Sequence, residues 1–298
     1  MTIGFSDDDV RLLRNLNRRS WSHTFSPEDD IDWKSSTTPE EYRALYDNWS
    51  LFVGTRHETD FDDERKIRFA RFQQVNLMLG TALFERVALS SFESLYRDAK
   101  QPEFQEYVAH LVKEETYHYV LFTRAIRRIL ESDPELQPLS EQPFKIYFSL
   151  VLFVLRIVPL RRLRHGMFFY VLRFIEEITL QANLVARRTV NRRDSLVPRV
   201  WELHAIDESR HVAFDDLMMR KAQLPGVFGK LAAWLVTPAC IGASLLINCN
   251  EVRAARRLGI RVGYHELPVL MKRTRAAFKL KVFRLLFGST DHAKGART

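Results

Sequence analysis

Apolar residues recur along most of this chain at intervals of three and four, the spacing of helices with one buried face. After a polar N-terminal arm that reaches to about residue 60, the pattern predicts helices near 62–99, 103–132, 143–163, 166–190, 196–222, 228–250 and 268–287. Proline-bearing connections, DPELQPLSEQP and QLPGVFG, punctuate them. The segments 71–99, 103–132, 166–190 and 196–222 are expected to form a four-helix core within a single helical domain spanning residues 1–298. Residues 228–298 add accessory helices and a tail.

Composition agrees with an all-α chain. Its 298 residues, 46% of them hydrophobic, can bury a large core, and 11 glycines with 11 prolines are too few for the many tight turns of an all-β domain. Cys240 and Cys249 make no metal spacing and need no disulfide, as in a reduced, intracellular protein. The opening MTIGFSDDDVRLLRNL is acidic and polar rather than a leader, so a cytoplasmic location is expected. The uncharged run Leu231 to Asn250 has the length of a bilayer span, but Thr237, Pro238, Asn248 and Asn250 interrupt it, and it is read as a buried helix.

The net charge of +8 is concentrated at one end. From Glu251 to Thr298 there are 12 Lys or Arg against 3 acids, which leaves the rest of the chain nearly neutral. Within this tail, MKRTRAAFKLKVFRLLFG mixes basic and apolar residues and offers a peripheral contact for an anionic membrane or an acidic partner. Nothing resembles a nucleic-acid module.

Candidate chemistry gathers in four segments. In WELHAIDESRHVAFD, His204, Glu208 and His211 fall on one face of a helix that turns about 100° per residue. A second segment, VAHLVKEETYHYVLF, repeats the Glu-x-x-His spacing at Glu115 and His118. Two such pairs on two helices supply half of a dinuclear carboxylate site, and one further carboxylate is needed upstream of each. Glu85 lies 115 − 85 = 30 residues before Glu115, and Glu177 lies 208 − 177 = 31 before Glu208, as in a duplicated helix pair. Glu93 is too near Glu115 for a helix, a turn and a return. Between Glu176 and Glu177 the choice is close, and Glu177 is preferred because its face carries Tyr170, Phe174, Leu180 and Leu184, whereas that of Glu176 carries Thr179, Asn183 and Arg187.

Four carboxylates and three imidazoles without thiolate suit two redox-active ions, iron or alternatively manganese, at a site that activates dioxygen. A closed zinc site would use four ligands. Glu114 and Asp207, beside the ligand face, are expected to accept from the histidine N–H groups. Arg173, one turn before Glu177, stands where it could neutralise a carboxylate or meet an anionic substrate, and Tyr117 and Tyr170 are candidate pocket residues. No Gly-x-Gly occurs, so a separate electron donor is expected.

Glu85, Glu115-Thr-Tyr-His118, Glu177 and Asp207-Glu208-Ser-Arg-His211 resemble the repeated motif of ferritin-like non-haem diiron oxygenases. The added His204 is similar to the third histidine ligand of the 4-aminobenzoate N-oxygenase branch, which oxidises arylamines to nitroarenes. The resemblance covers mainly residues 70–220. It implies a ferritin-like fold, two iron ions with dioxygen as co-substrate, a small-molecule substrate, and a homodimer. Hydroxylation or desaturation of an acyl chain is the alternative enzymatic reading, and a non-enzymatic metal-binding bundle is the other class.

Overall fold

Ser6 and Asp9 close a reciprocal capping box at the start of helix α1 (Asp7–Ser22), and Thr38 and Glu41 do the same for α2 (Pro39–Trp49), whose first residue is proline. The N-terminal arm, expected to be polar, therefore contains two helices. Leu13 and Leu16 of α1, and Tyr42, Leu45 and Tyr46 of α2, are buried. Each stripe is narrow in sequence because the helix is short and lies on one side of a larger neighbour. These contacts come from a computed structural model that describes residues 4–270 except 24, 99, 137–140, 159–160, 191, 193 and 222–226. Most of the helix expected near 268–287, and the basic tail, lie outside the described residues.

Helices α3 (Asp63–Asp98) and α4 (Pro102–Leu130) pack side by side, joined by only residues 99–101. A connection that short makes them antiparallel neighbours. Glu85 lies 98 − 85 = 13 residues before the end of α3, and Glu115 lies 115 − 102 = 13 after the start of α4. The turn thus sets both at one level, about 20 Å from the connection at 1.5 Å per residue.

Helix α5 (Glu141–Ile157) follows and stops earlier than residue 163, because Val158 precedes Pro159 and the residue before a proline disfavours helix. Helices α6 (Arg161–Thr189) and α7 (Leu196–Lys221) form the second pair, which meets the first through α4 against α7 and α3 against α6. Helix α8 (Val227–Arg257) takes in the uncharged run and continues beyond it. Among the described residues no helix is long and apolar enough to cross a membrane, and no strand occurs. Both α5 and α8 lie against α3 and α6. Gly80 permits the approach of α5, since a Cβ there would sit 3.0 Å from Cζ of Phe144.

Candidate metal centre

His204, Glu208 and His211 occupy one face of α7, and α3 and α4 bring Glu85, Glu115 and His118 opposite them. All six are buried, and the three imidazoles have no accessible surface. Nε2 of His204 is 3.0 Å from Oε1 of Glu85 and 3.0 Å from Oε1 of Glu208. Nδ1 of His118 is 3.6 Å from Oε1 of Glu85, 3.6 Å from Oε2 of Glu115 and 3.7 Å from Oε1 of Glu208. Nδ1 of His211 is 3.4 Å from Oε1 of Glu115 and 3.7 Å from Oε1 of Glu208. One carboxylate from each helix pair therefore stands between His118 and His211.

Two overlapping sets of donors result. Glu85, His118, His204 and Glu208 form one, and Glu176, Glu208 and His211 the other, each with ligand atoms within 4.8 Å of one another. Glu208 belongs to both.

The second set contains Glu176, where the helical faces favoured Glu177. Oε1 of Glu177 instead meets Nη2 of Arg173 at 3.0 Å, one turn back on α6, and Arg173 also reaches Asp216 at 3.5 Å. The polarity of Thr179 misleads here. Thr179 is fully buried and its hydroxyl donates to the backbone carbonyl of Glu176, so the Glu176 face, with Phe169 and Leu172, packs inward. Leu184, counted toward the Glu177 face, is 40% exposed.

A second layer of charge orients the rings. Asp207 of α7 lies 3.3 Å from Nε2 of His118 on α4, and Glu114 of α4 lies 2.9 Å from Nε2 of His211 on α7. With Nε2 engaged in this way, each ring turns Nδ1 toward the centre. Arg210 donates to Glu114 at 2.8 Å, pairs closely with Asp207, and donates through Nε to Ser20 of α1 at 3.1 Å. The N-terminal helix thus closes the outer layer.

Burial sets the electrostatics. It drives the Glu85 carboxyl up to about 7 against the hydrogen bond from His204. Burial, with the nearby charges of Asp215 and Glu208, raises Glu176 well above the usual carboxylate range, and burial does the same to Asp215. For His118 and His211 burial opposes the charged ring, but the surrounding carboxylates outweigh it and hold both well above the usual histidine range. Protons therefore supply the positive charge that so many buried carboxylates demand, and bound cations would displace them.

Sequence reading passed over several residues that line this centre. Asp215 is fully buried, one turn beyond His211, and was hidden among the charges at the end of WELHAIDESRHVAFD. Phe25, from the loop after α1, stacks on His118 with ring centres 5.8 Å apart. Phe122 and Trp201 pack around His204 at 4.8 and 6.0 Å, and the Trp201 indole donates to Gln74 at 2.9 Å. Tyr107 is fully buried against Phe214. Of the two tyrosines singled out earlier, Tyr117 lies against Phe25, and Tyr170 is partly buried against the core. Only the apolar heptad-like spacing around Tyr107 and Trp201 signalled burial.

The donor set fits metal ions. One oxygen of Glu85, Glu115 and Glu208, both oxygens of Glu176, and Nδ1 of His118 and His211 are buried without a hydrogen-bond partner. Orphaned donors at this density cost several kcal/mol in water-free surroundings, about 1–3 each, unless cations satisfy them. Carboxylate and imidazole without thiolate are ligands for iron and manganese.

Known proteins agree. The family described as p-aminobenzoate N-oxygenase AurF matches residues 6–261. Among solved structures, an R2-like ligand-binding oxidase with an aerobically reconstituted Mn/Fe cofactor aligns with a TM-score of 0.59 at 15% identity, covering 93% of this chain and 90% of that one. A single-substitution variant of such an oxidase, also with an aerobically reconstituted Mn/Fe cofactor, gives 0.58 at 15% identity, covering 93% and 91%. The fold is thus ferritin-like. No curated protein matches the sequence.

Proposed function

The chain belongs to the p-aminobenzoate N-oxygenase family, and from that premise we propose that it oxygenates the nitrogen of an arylamine at a dinuclear centre held by Glu85, Glu115, His118, Glu176, His204, Glu208 and His211. It is an oxygenase with a dimetal site. The observation that supports the ligand assignment is the position of Glu208, shared by two buried donor sets, one drawn from both helix pairs and the other from α6 and α7.

When bound, two iron ions, or manganese with iron, supply the redox chemistry that activates dioxygen. Glu115 and Glu208, which lie near both His118 and His211, would be shared by the two ions, while Glu85, His118 and His204 would hold one of them and Glu176 and His211 the other. Asp207 and Glu114 fix the rings of His118 and His211 by holding their outer nitrogens. His204 would add an imidazole donor, so that one ion would be held by two imidazoles and the other by one. Phe25, Phe122 and Trp201 keep water from that side of the centre.

The small-molecule substrate is met by a protein that must draw electrons from a separate donor, since the sequence has no Gly-x-Gly for a nucleotide of its own. The proposal includes a homodimer, as the family resemblance implies, and a cytoplasmic location, supported by the free thiols of Cys240 and Cys249. It also keeps the basic C-terminal segment as a contact for an anionic surface.

The test is single-turnover reaction of the reduced, iron-loaded protein with arylamines and with fatty acyl substrates under ¹⁸O₂, read by mass spectrometry. Label is expected in hydroxylamine, nitroso or nitro products. Label confined to hydroxylated acyl chains would replace N-oxygenation by the alternative chemistry.

A further inference from the structure

One face of His118 is covered by Phe25, whose ring lies nearly parallel to the imidazole, at 10°, with centres 5.8 Å apart. Phe25 belongs to the segment between α1 and α2, whereas Tyr107, Glu114, Phe122, Trp201, Asp207 and Arg210 all stand on α4 or α7. Displacing the backbone at any of those six breaks a helical ladder. The segment that carries Phe25 is instead folded on itself. The Ser26 carbonyl accepts from the backbone N–H groups of Asp29 and Asp30 at 3.2 and 3.0 Å, and the Ser26 N–H donates to Oδ2 of Asp30 at 2.7 Å. The Trp33 indole donates to the carbonyl of Pro27 at 2.7 Å. These bonds close residues 26–33 into one small unit.

Among the described residues, two arginines make the polar ties of this unit to the helices. Arg124 of α4 pairs with Glu28 and lies over the Trp33 ring at 5.7 Å, and Nε of Arg199, on α7, donates to the carbonyl of Asp30 at 3.2 Å. The side chains of Arg124 and Glu28 are 41% and 69% exposed, so water and salt weaken their attraction. Phe25 and Ile31 supply the buried apolar contact. Further along, the chain is fixed again at Thr37, whose hydroxyl accepts from the backbone N–H of Val197 at 3.0 Å. Between α1 and Thr37 the unit can lift without breaking a helical hydrogen bond, and lifting takes Phe25 off His118.

We propose that residues 25–33 are a cover on the metal centre, latched by Arg124 and Glu28, and that metal ions enter and leave when Phe25 lifts from His118. The inference rests on the dimetal reading of the centre. A cover sets the rate of exchange in both directions and leaves the affinity alone, because the closed state keeps the same ligands. A residue that aims a ligand changes the affinity instead.

The experiment follows manganese(II) uptake by the metal-free full chain and its release to EDTA, with the dissociation constant measured separately. It compares the native sequence with Glu28→Ala, Arg124→Ala, Phe25→Ala and Arg43→Ala. The last breaks the pair of Arg43 with Asp63, which is comparably exposed but joins α2 to α3. Glu28→Ala and Arg124→Ala are expected to speed uptake and release together, by about two- to fivefold, at unchanged affinity and melting temperature. Phe25→Ala should speed both by about tenfold or more. High salt should speed exchange in the native chain and not in Glu28→Ala. Arg43→Ala should exchange like the native chain. Native rates in Glu28→Ala and Phe25→Ala, or equal acceleration in Arg43→Ala, would overturn the cover and leave the metal reading intact. So would faster release from Phe25→Ala without faster uptake, which would make Phe25 a positioning residue for His118. A native chain that binds neither manganese nor iron would instead overturn the dimetal reading, and this inference with it.

Discussion

Nε2 of His211, on α7, lies 2.9 Å from Oε2 of Glu114, the neighbour of Glu115 on α4. The reciprocal contact joins His118 of α4 to Asp207 of α7 at 3.3 Å. Each Glu-x-x-His pair therefore supplies the acid that orients the other pair's histidine, and Arg210 ties the two acids together. The geometry of either half depends on the docking of both.

Glu114→Ala is expected to lower metal affinity about 10–100-fold, although Glu114 donates no ligand atom, because the ring of His211 loses the partner that aims it. Competition against a chelator of known affinity measures this. The reciprocal Asp207→Ala should act on the position that includes His118. Affinity unchanged in both variants would show that packing alone holds the rings.

Glu176→Ala should lose most of one metal per chain, and Glu177→Ala should keep both, since Glu177 is engaged with Arg173 and Glu176 faces Glu208 and His211. Elemental analysis of the two purified variants separates the neighbours directly. The reverse result would restore the preference drawn from the helical faces.

His204→Ala should keep the fold and at least one metal, yet change the reaction with oxygen. Its imidazole stands between Glu85 and Glu208 without spanning the two positions. Stopped-flow absorbance after mixing the reduced protein with oxygen should differ from that of the native chain. An identical trace with full metal content would reduce His204 to a core residue.

Glu251, on α8, is buried away from the metal centre, and burial pushes its carboxyl up to about 8 despite the nearby Gln73 amide. Its folded value thus exceeds the ordinary 4.5. Stability is fullest below about 4.5, is lost as pH rises toward 8, and levels off above that. Glu251→Gln removes the charge, so the variant should gain over the native chain, by on the order of a few kcal/mol at pH 8 and by much less at pH 5. Urea titrations at the two pH values check this, and equal gains at both would contradict a buried, titrating carboxyl.

Much of the fold could be read in the sequence because long helices repeat their pattern many times. The expected 196–222 and observed Leu196–Lys221 nearly coincide. The two helices of the polar N-terminal arm were not legible for the opposite reason. Within α1 the buried residues are Leu13, Leu16, Asn17 and Ser20, two of them polar, and charges crowd the rest. Phe25 and Ser20 reach His118 and Arg210 through contacts far apart in the chain, which no local spacing encodes.

The sequence by itself determined that the chain is helical and that two Glu-x-x-His pairs, with His204 one turn earlier, present their donors on single faces. It also placed Glu114 and Asp207 beside those faces. Periodicity carries this information, because an α-helix fixes the angle between residues whatever surrounds it. Tertiary structure decided which way each helix is rotated about its own axis. Adjacent residues differ by about 100°, so a small rotation of α6 exchanges Glu176 for Glu177 at the centre. That rotation is set by Phe169, Leu172 and Thr179 packing inward and by Arg173 drawing Glu177 aside. The pairing of each acid with the opposite histidine was likewise fixed only when α4 met α7, since the contact exists between helices and in neither one alone.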